Sequence, residues 1–367
     1  MKVGFYGFVR QYHDLKAEID AAIEQVLESG AYVLGPALAR FESELAAYCR
    51  MSHAIGVNSG TDALWLAFLA LGIGPGDEVI TVANTFFATA EAIWFVGAKP
   101  VFVDIEPDTC NMDPSRIEAA ITERTKAIVP VHLYGQLADM PVIADIARRH
   151  NLLVVEDCAQ AIGAAGDGFA IGELSDAVCT SLMVRKNLGT YGDSGAILTN
   201  RDDIVDRIRA MRNHGSLKRS YHTLGYNSRL DDLHAAILSV KLKKIDEWND
   251  RRREIAAMYT AGLQHTGLKL PVKRPGYRHV YHLYVVETER RDEMLKYLND
   301  AGIDAKTHYP IAIHQQEGYP WGQSADLNVS LPLTEKSAAS VISLPVFPEL
   351  TQAEIDYVIA TVCAWER

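Results

Sequence analysis

Between residues 55 and 200, short apolar runs alternate with stretches of helical pattern, and this alternation constrains the fold more than any other sequence feature. The largely apolar runs cover residues 78–82, 100–103, 126–131 and 152–156, and the helical stretches include 115–121 and 141–150. Runs of this kind are typical of strands that are buried on both faces. Because helical segments separate them, we predict an α/β fold, a mainly parallel sheet with helices on both faces.

The chain has 367 residues, more than one typical core, so we expect one large and one smaller domain. Residues 1–245 are predicted to form the large α/β domain, and residues 246–367 a small C-terminal α+β domain. A long helix over residues 231–263 is expected where the two meet. The other predicted elements are helices over 14–29, 36–49, 202–212, 291–301 and 354–365 and a strand over 280–286.

Lys186 lies between two predicted strands, 177–182 and 196–199, in a loop with glycines at positions 189, 192 and 195. Glycines let backbone approach a ligand closely. An amine held against a core loses hydration, which lowers its pKa and favours covalent chemistry with a carbonyl group. A solvated or salt-bridged lysine is the ordinary alternative.

Three other features favour the covalent interpretation. Asp157 follows an apolar run, at the end of a parallel strand where ligands of such sheets bind. Residues 59–62 lead from a strand into a helix, which creates a phosphate site, although Ser59 or Asp62 as an ordinary N-cap explains the pattern too. Phe86 opens the next helix and is suited to stacking on a flat ring, with Phe87 as the alternative. Lysine, acid, phosphate site and aromatic together predict pyridoxal 5′-phosphate (PLP).

Four motifs occur in the order found in the sugar aminotransferase family named for DegT, DnrJ and StrS, which the chain resembles over nearly its whole length. The motifs are Ser59-Gly-Thr-Asp-Ala-Leu64, Glu156-Asp-Cys-Ala-Gln160, residues 181–195 and Gly225-Tyr-Asn-Ser-Arg-Leu-Asp231. The resemblance implies an aspartate-aminotransferase-like large domain (PLP fold type I) with a mainly parallel seven-stranded sheet. It assigns covalent and proton-transfer chemistry to Lys186 and the pyridinium contact to Asp157. The other implied cofactor residues are Gly60, Thr61 and Ser181 at the phosphate, Phe86 on the ring face, Gln160 near the ring hydroxyl and Asn227 at the phosphate of the neighbouring subunit.

The resemblance further implies a homodimer with shared active sites, an amino donor that is L-glutamate or glutamine, and a keto-sugar nucleotide as acceptor. A 6-deoxy-3-keto hexose on deoxythymidine diphosphate (dTDP), which would give a 3-amino sugar, is the leading hypothesis. The alternatives are a 4-keto or UDP-linked sugar, a sugar dehydratase and a non-catalytic regulatory protein. The dehydratases of the family replace the lysine by histidine, so Lys186 speaks against that activity.

The chain departs from the family between Ser181 and Lys186. Relatives carry an aromatic or histidine, a proline and a small polar residue there, whereas this chain has Leu182-Met-Val-Arg185. Met183 offers no hydrogen-bond donor, so we expect it to cover a deoxygenated edge of the sugar. The other predicted substrate-binding residues are Lys218, Arg219, His308 and Tyr309. Further candidates for the diphosphate are Arg212, His214 and Lys306.

Composition narrows the class of protein. The net charge of −11 disfavours binding to nucleic acids or anionic membranes. The five cysteines have no paired spacing, so we expect reduced thiols, no metal site and a cytoplasmic protein.

Overall fold

The computed structural model describes residues 1–218, 220–319 and 329–365. Its α-helices are α1 (Phe8–Ser29), α2 (Pro36–Cys49), α3 (Gly60–Ala70), α4 (Ala88–Phe95), α5 (Ile117–Ala120), α6 (Met140–Arg149), α7 (Asp202–Met211), α8 (Asp232–Leu242), α9 (Ile245–Leu263), α10 (Arg291–Asp300), α11 (Pro332–Ser340) and α12 (Gln352–Trp365). Its strands are β1 (His53–Val57), β2 (Glu78–Val82), β3 (Lys99–Val103), β4 (Thr125–Ile128), β5 (Leu153–Asp157), β6 (Ala177–Ser181), β7 (Gly195–Thr199), β8 (Tyr284–Glu287) and β9 (Val341–Leu344). Within the described part of the chain, no helix is long and apolar enough to span a bilayer.

Seven strands form one sheet in the order β1-β7-β6-β5-β4-β2-β3. The pairs among β2 to β6 are parallel, and β7 runs antiparallel to both of its neighbours, β1 and β6. A parallel pair needs a crossover connection, whereas an antiparallel pair can be joined by a loop alone. The chain returns from β6 to β7 through the loop that carries Lys186, with no helix between them. The predicted mainly parallel seven-stranded sheet is therefore confirmed.

The sheet is covered on both faces by apolar helix surfaces, as the alternating pattern predicts. One core cluster joins Leu15 of α1 and Phe41 of α2 to residues of α8. A second cluster joins Phe68 of α3 and Ile208 of α7 to the strands from the other side. Strands β2 and β7 are buried along their whole length, which explains their near-continuous apolar sequences.

The C-terminal part contains a two-stranded antiparallel sheet of β8 and β9, with α9, α10 and α12 packed around it. Val3 belongs to this cluster and pairs with Ile303, so the N-terminal residues pack with the C-terminal half of the chain. Helix α9 contacts the first core near Ile245 and the C-terminal core near Tyr259. The domain boundary after residue 245 stays a prediction, and α9 is the element that contacts both parts.

Several predicted elements differ from the structure. Helix α1 begins at Phe8, six residues before the predicted start at residue 14, and β4 ends at Ile128 instead of residue 131. The long helix over 231–263 is in fact α8 and α9, interrupted at Lys243 and Lys244, where the Lys244 N–H bonds to the Lys241 carbonyl in a tighter i→i+3 turn. The strand predicted over 280–286 begins only at Tyr284. Residues before it bond instead to the loop after β4, through contacts such as that of the Val280 N–H with the Gly135 carbonyl.

Candidate active site

A cavity of about 320 Å³ lies at the edge of the sheet where β5 and β6 end and where the segments after β1 and β2 begin. Its volume falls within the ~300–1,000 Å³ range of small-molecule sites. Ten predicted site residues line it: Gly60, Thr61, Phe86, Asp157, Gln160, Ser181, Met183, Lys186, His308 and Tyr309. Residues more than 240 positions apart in the chain are thus brought to one site.

Lys186 projects from a turn in which its own N–H bonds to the Met183 carbonyl at 2.9 Å. No carboxylate lies within ion-pair distance of its amine in the described ranges. Burial lowers the pKa of Lys186 to about 8, an effect that the Asp157 carboxylate opposes and the Arg185 charge reinforces. At pH 7 roughly one such amine in ten is unprotonated, far more than at the ordinary lysine pKa, and the unprotonated form is the one that attacks a carbonyl.

Asp157, the last residue of β5, is 6% exposed, and both of its carboxylate oxygens are held by hydrogen-bond donors. The Thr89 hydroxyl donates to Oδ2 at 2.8 Å, and the Ala159 N–H donates to Oδ1 at 3.1 Å. Thr89 is itself in contact with the Thr85 hydroxyl at 3.0 Å. These bonds fix the carboxylate at the inner wall of the cavity, where it can face a positively charged ring nitrogen.

The start of α3 offers the donors for a phosphate. Ser59 caps the helix, because its hydroxyl oxygen accepts a hydrogen bond from the Asp62 N–H at 3.0 Å. The N–H groups of Gly60 and Thr61 lie in the first turn and have no acceptor within the helix. Gly60 packs on Ser181 so closely that an added Cβ would lie 2.7 Å from the serine Cβ. The Ser181 side chain therefore lies beside the first turn of α3, and both line the cavity.

Phe86 and Tyr309 form the aromatic part of the cavity, with ring centroids 5.8 Å apart. Phe86 is 56% exposed, a large fraction for a phenylalanine beside a cavity, whereas Phe87 does not line it. Gln160 accepts from the Tyr134 N–H at 2.7 Å and donates to the Tyr309 hydroxyl at 3.2 Å. Gln160 thus also positions Tyr309, a role that the sequence did not indicate.

Two histidines at the cavity are neutral near pH 7. His308 contacts the Ser343 hydroxyl at 2.8 Å, and burial together with the Lys186 charge lowers its pKa to about 4. His282 has a pKa well below the ordinary range, again because it is buried and near Lys186. Its Nδ1 faces Asn187 Oδ1 at 3.0 Å, which assigns the proton to Nδ1 and leaves Nε2 as a potential acceptor. His308 can therefore form hydrogen bonds with a diphosphate but cannot contribute a positive charge.

Several predicted residues lie away from this cavity. Asn227 is exposed, and Lys218 lines a neighbouring cavity of about 800 Å³. Arg219 lies outside the described residues. Arg212 is buried against Glu42 and donates to the Gly56 carbonyl at 2.7 Å, so the structure contradicts its candidacy as a diphosphate ligand. Lys306 pairs with Asp304 at 2.9 Å and does not line the cavity. His214 is exposed and does not line it either.

The cavity residues that the sequence interpretation missed include Tyr6, Thr89, Arg185 and His282. Thr89 lies four residues after Thr85, so the sequence could have indicated that the two hydroxyls lie on one face of a helix. Tyr6 comes from the N-terminal segment, and no local pattern indicates that this segment reaches the sheet edge.

The chain belongs to the DegT/DnrJ/EryC1/StrS aminotransferase family, whose model matches residues 13–363. The predicted family, fold and enzyme class are thereby confirmed. The chain is 47% identical to a pleiotropic regulatory protein of Geobacillus stearothermophilus, over 100% of this chain and 99% of that protein. It is 46% identical to dTDP-3-amino-3,4,6-trideoxy-alpha-D-glucose transaminase of Streptomyces venezuelae, over 99% of this chain and 96% of that enzyme.

Solved structures agree with these relatives. S. venezuelae DesV in complex with a ketimine intermediate superposes with a TM-score of 0.97 at 46% identity, covering 100% of this chain and 99% of DesV. NtdA of Bacillus subtilis, solved with bound cofactor PMP, superposes with a TM-score of 0.93 at 36% identity, covering 99% of this chain and 85% of NtdA.

Proposed function

We propose that this chain is a PLP-dependent aminotransferase that moves an amino group from L-glutamate or glutamine to a keto-sugar nucleotide. The observation that carries the proposal is the convergence of Lys186, Asp157 and the first turn of α3 on one cavity beside the exposed face of Phe86. Each of these groups matches one part of the cofactor. PLP when bound supplies a reactive aldehyde and a ring that delocalises the electron pair left by removal of a proton from carbon.

The residues present fit that group. Gly60, Thr61 and Ser181 would hold the phosphate, and Asp157 would hold the ring nitrogen in its protonated form. Phe86 would cover one face of the ring. Lys186 would bind the aldehyde covalently and then accept and return a proton at Nζ, for which a pKa of about 8 is suitable.

The acceptor that we propose is a nucleotide-linked 3-keto sugar, with a 6-deoxy hexose on dTDP as the leading candidate. Relatives and solved neighbours named for dTDP-3-amino sugars support the position of the amino group. The Met183 thioether accepts a bond from the Arg185 N–H at 3.3 Å, which orients this side chain at the cavity wall. A thioether cannot donate to a sugar hydroxyl, so a deoxygenated edge suits this wall better.

We also propose that two copies of the chain form a dimer with shared active sites. Asn227 lies outside its own chain's Lys186 cavity, as expected of a residue that contributes to the partner's site. Nearby, Leu217, Tyr221 and Leu224 expose more than half of their surface, and Leu224 is 83% exposed. Apolar groups this exposed are typical of a surface that another protein covers.

A regulatory role without catalysis is the second candidate, because a relative at 47% identity is named a pleiotropic regulatory protein. Retention of a partly buried, unpaired lysine with a lowered pKa favours catalysis, since a fold kept only for binding has no need of this costly group.

The test is reconstitution with PLP, borohydride reduction and peptide mapping by mass spectrometry. We expect the cofactor on Lys186, and we expect L-glutamate to convert the loaded enzyme to its amino form. Lys186→Ala should abolish this conversion while the fold is retained. Attachment to another lysine would contradict the site, and a loaded protein that is inert towards every donor would favour the regulatory role.

A further inference from the structure

Arg185 directly precedes Lys186 and lines the same cavity, although nothing in the proposed chemistry uses it. Its guanidinium carbon lies 5.9 Å from the centroid of the Tyr6 ring. Tyr6 is in turn stacked on Phe8 with a centroid distance of 4.7 Å, which restrains the ring. A cation–π contact of this kind uses none of the five N–H donors of the guanidinium. Arg185 is therefore steered to the cavity wall with its hydrogen-bonding capacity intact.

No carboxylate of the described chain pairs with Arg185. Arg185 is an exposed residue. Some arginines of the described chain are paired, such as Arg201 with Asp176 at 2.9 Å and Arg274 with Glu106 at 2.6 Å, and others are not. The cavity is lined by two carboxylates, Asp157 and Asp193. Asp157 accepts hydrogen bonds from Thr89 and Ala159, and Asp193 lies beyond ion-pair distance of the guanidinium. The free N–H groups of a guanidinium lie in one plane and can bind an oxyanion. A carboxylate can accept two parallel hydrogen bonds from them.

We propose that Arg185 binds a carboxylate of a bound substrate and so determines which substrates the cavity accepts. This inference rests on the proposed function, because it requires a carboxylate-bearing molecule at Lys186. The amino-acid donor is the first source of that group. Its nitrogen must reach the carbonyl carbon that Lys186 would bind, and its α-carboxylate is one carbon from that nitrogen, within reach of a long side chain such as Arg185 that lines the same cavity. The carboxylate of a sugar acid carried by a nucleotide is the second source.

Binding of unreactive probes tests the inference without turnover. Glutarate has the two carboxylates of a donor but no amino group. UDP-glucuronate and UDP-glucose differ in one carboxylate, and neither is a ketone. Their dissociation constants would be measured by calorimetry for the PLP-loaded wild type and for Arg185→Met and Arg185→Lys, with the exposed Arg148→Met on α6 as matched control. We expect Arg185→Met to raise the dissociation constant of one carboxylate probe by roughly 10–100-fold. Arg185→Lys should restore part of the loss, and UDP-glucose should bind all of these proteins alike.

The pattern of losses identifies the source. If only the binding of glutarate is weakened, Arg185 binds the donor. If only the binding of UDP-glucuronate is weakened, Arg185 binds the acceptor. Equal losses for both UDP compounds would overturn the inference, because Arg185 would then bind the diphosphate. Unchanged binding of every probe, or no binding of a carboxylate probe to the wild type, would overturn it too. Failure of the proposed function is distinguishable, since the wild type would then leave its cofactor unchanged with L-glutamate whatever Arg185 does.

Discussion

At the scale of single residues, Lys186 shows a conflict between stability and chemistry. Folding places this amine in a low-dielectric cavity without a counter-ion, and its pKa falls from 10.5 to about 8. The unfolded chain therefore binds more protons than the folded chain between pH 8 and pH 10.5. Stability of the cofactor-free protein consequently rises with pH through this window, and the cost of burying the charge is complete below about pH 8.

We predict that Lys186→Met stabilises the cofactor-free protein at pH 7 by at most roughly 3 kcal/mol, because it removes this cost. The advantage should shrink as the pH rises towards 10.5. Urea unfolding at pH 7 and at pH 9.5 measures it, with the exposed Lys243→Met as control. Lys241 also has a pKa of about 8, so part of the pH dependence should persist in the variant. A Lys186→Met protein less stable than the wild type at pH 7 would contradict the argument.

At the scale of elements, the loop from Leu182 to Ser194 positions the lysine. Gly189 packs against the turn before Lys186, and an added Cβ would lie 2.5 Å from the Met183 carbonyl oxygen. Its own carbonyl accepts a bond from Lys241 at 2.7 Å. The Lys241 amine also lies 4.0 Å from the centroid of the Tyr191 ring. The hydrogen bond from the buried Lys241 of α8 thus restrains the loop, and Gly189 leaves room for the tight turn.

We therefore predict that Gly189→Ala weakens PLP binding by roughly 10–100-fold, because the backbone beneath Lys186 must move to admit a methyl group. Gly74→Ala is the matched control, since its Cβ would meet only the Val96 carbonyl oxygen at 3.7 Å. Titration of the cofactor-free proteins with PLP, followed by absorbance, measures the affinity. Equal affinities of the two variants would show that the loop adapts without loss.

The same elements show how far sequence patterns reach. Helix α2 and strand β2 have their predicted boundaries, because each has a period and end signals of its own. The break between α8 and α9 was not predicted, since Lys243 and Lys244 are good helix formers and tertiary packing decides the interruption. Of the site, the strand-end Asp157 and the loop lysine were recognisable. The partners of Asp157 and His282 were not, because hydrogen bonds across 68 and 95 residues leave no local pattern.

At the scale of the whole molecule, the site described within one chain lacks a predicted component. Lys186, Asp157 and the start of α3 share one cavity, but Asn227 is absent from its lining. The segment before Asn227 carries the exposed Leu217, Tyr221 and Leu224. If a second copy covers this surface, Asn227 can reach the phosphate site of that copy. The proposed dimer would divide the predicted residues into one group that acts in its own chain and one, Asn227, that acts in the partner's.

A mixed dimer of Lys186→Ala and Asn227→Ala chains tests this division. If Asn227 acts across the interface, both defects fall in one of the two sites, and the other site is intact. We expect the mixed dimer, co-expressed with two tags and purified, to have about half the wild-type activity, while each variant alone has little. If Asn227 acts in its own chain, both sites are damaged and the mixed dimer is as inactive as its parents.

The control is a mixed dimer of Lys186→Ala and Asp157→Ala chains. These two residues share one chain's cavity, so this dimer should show no recovery of activity. Recovery in that control, or full activity in a monomer, would contradict the shared site.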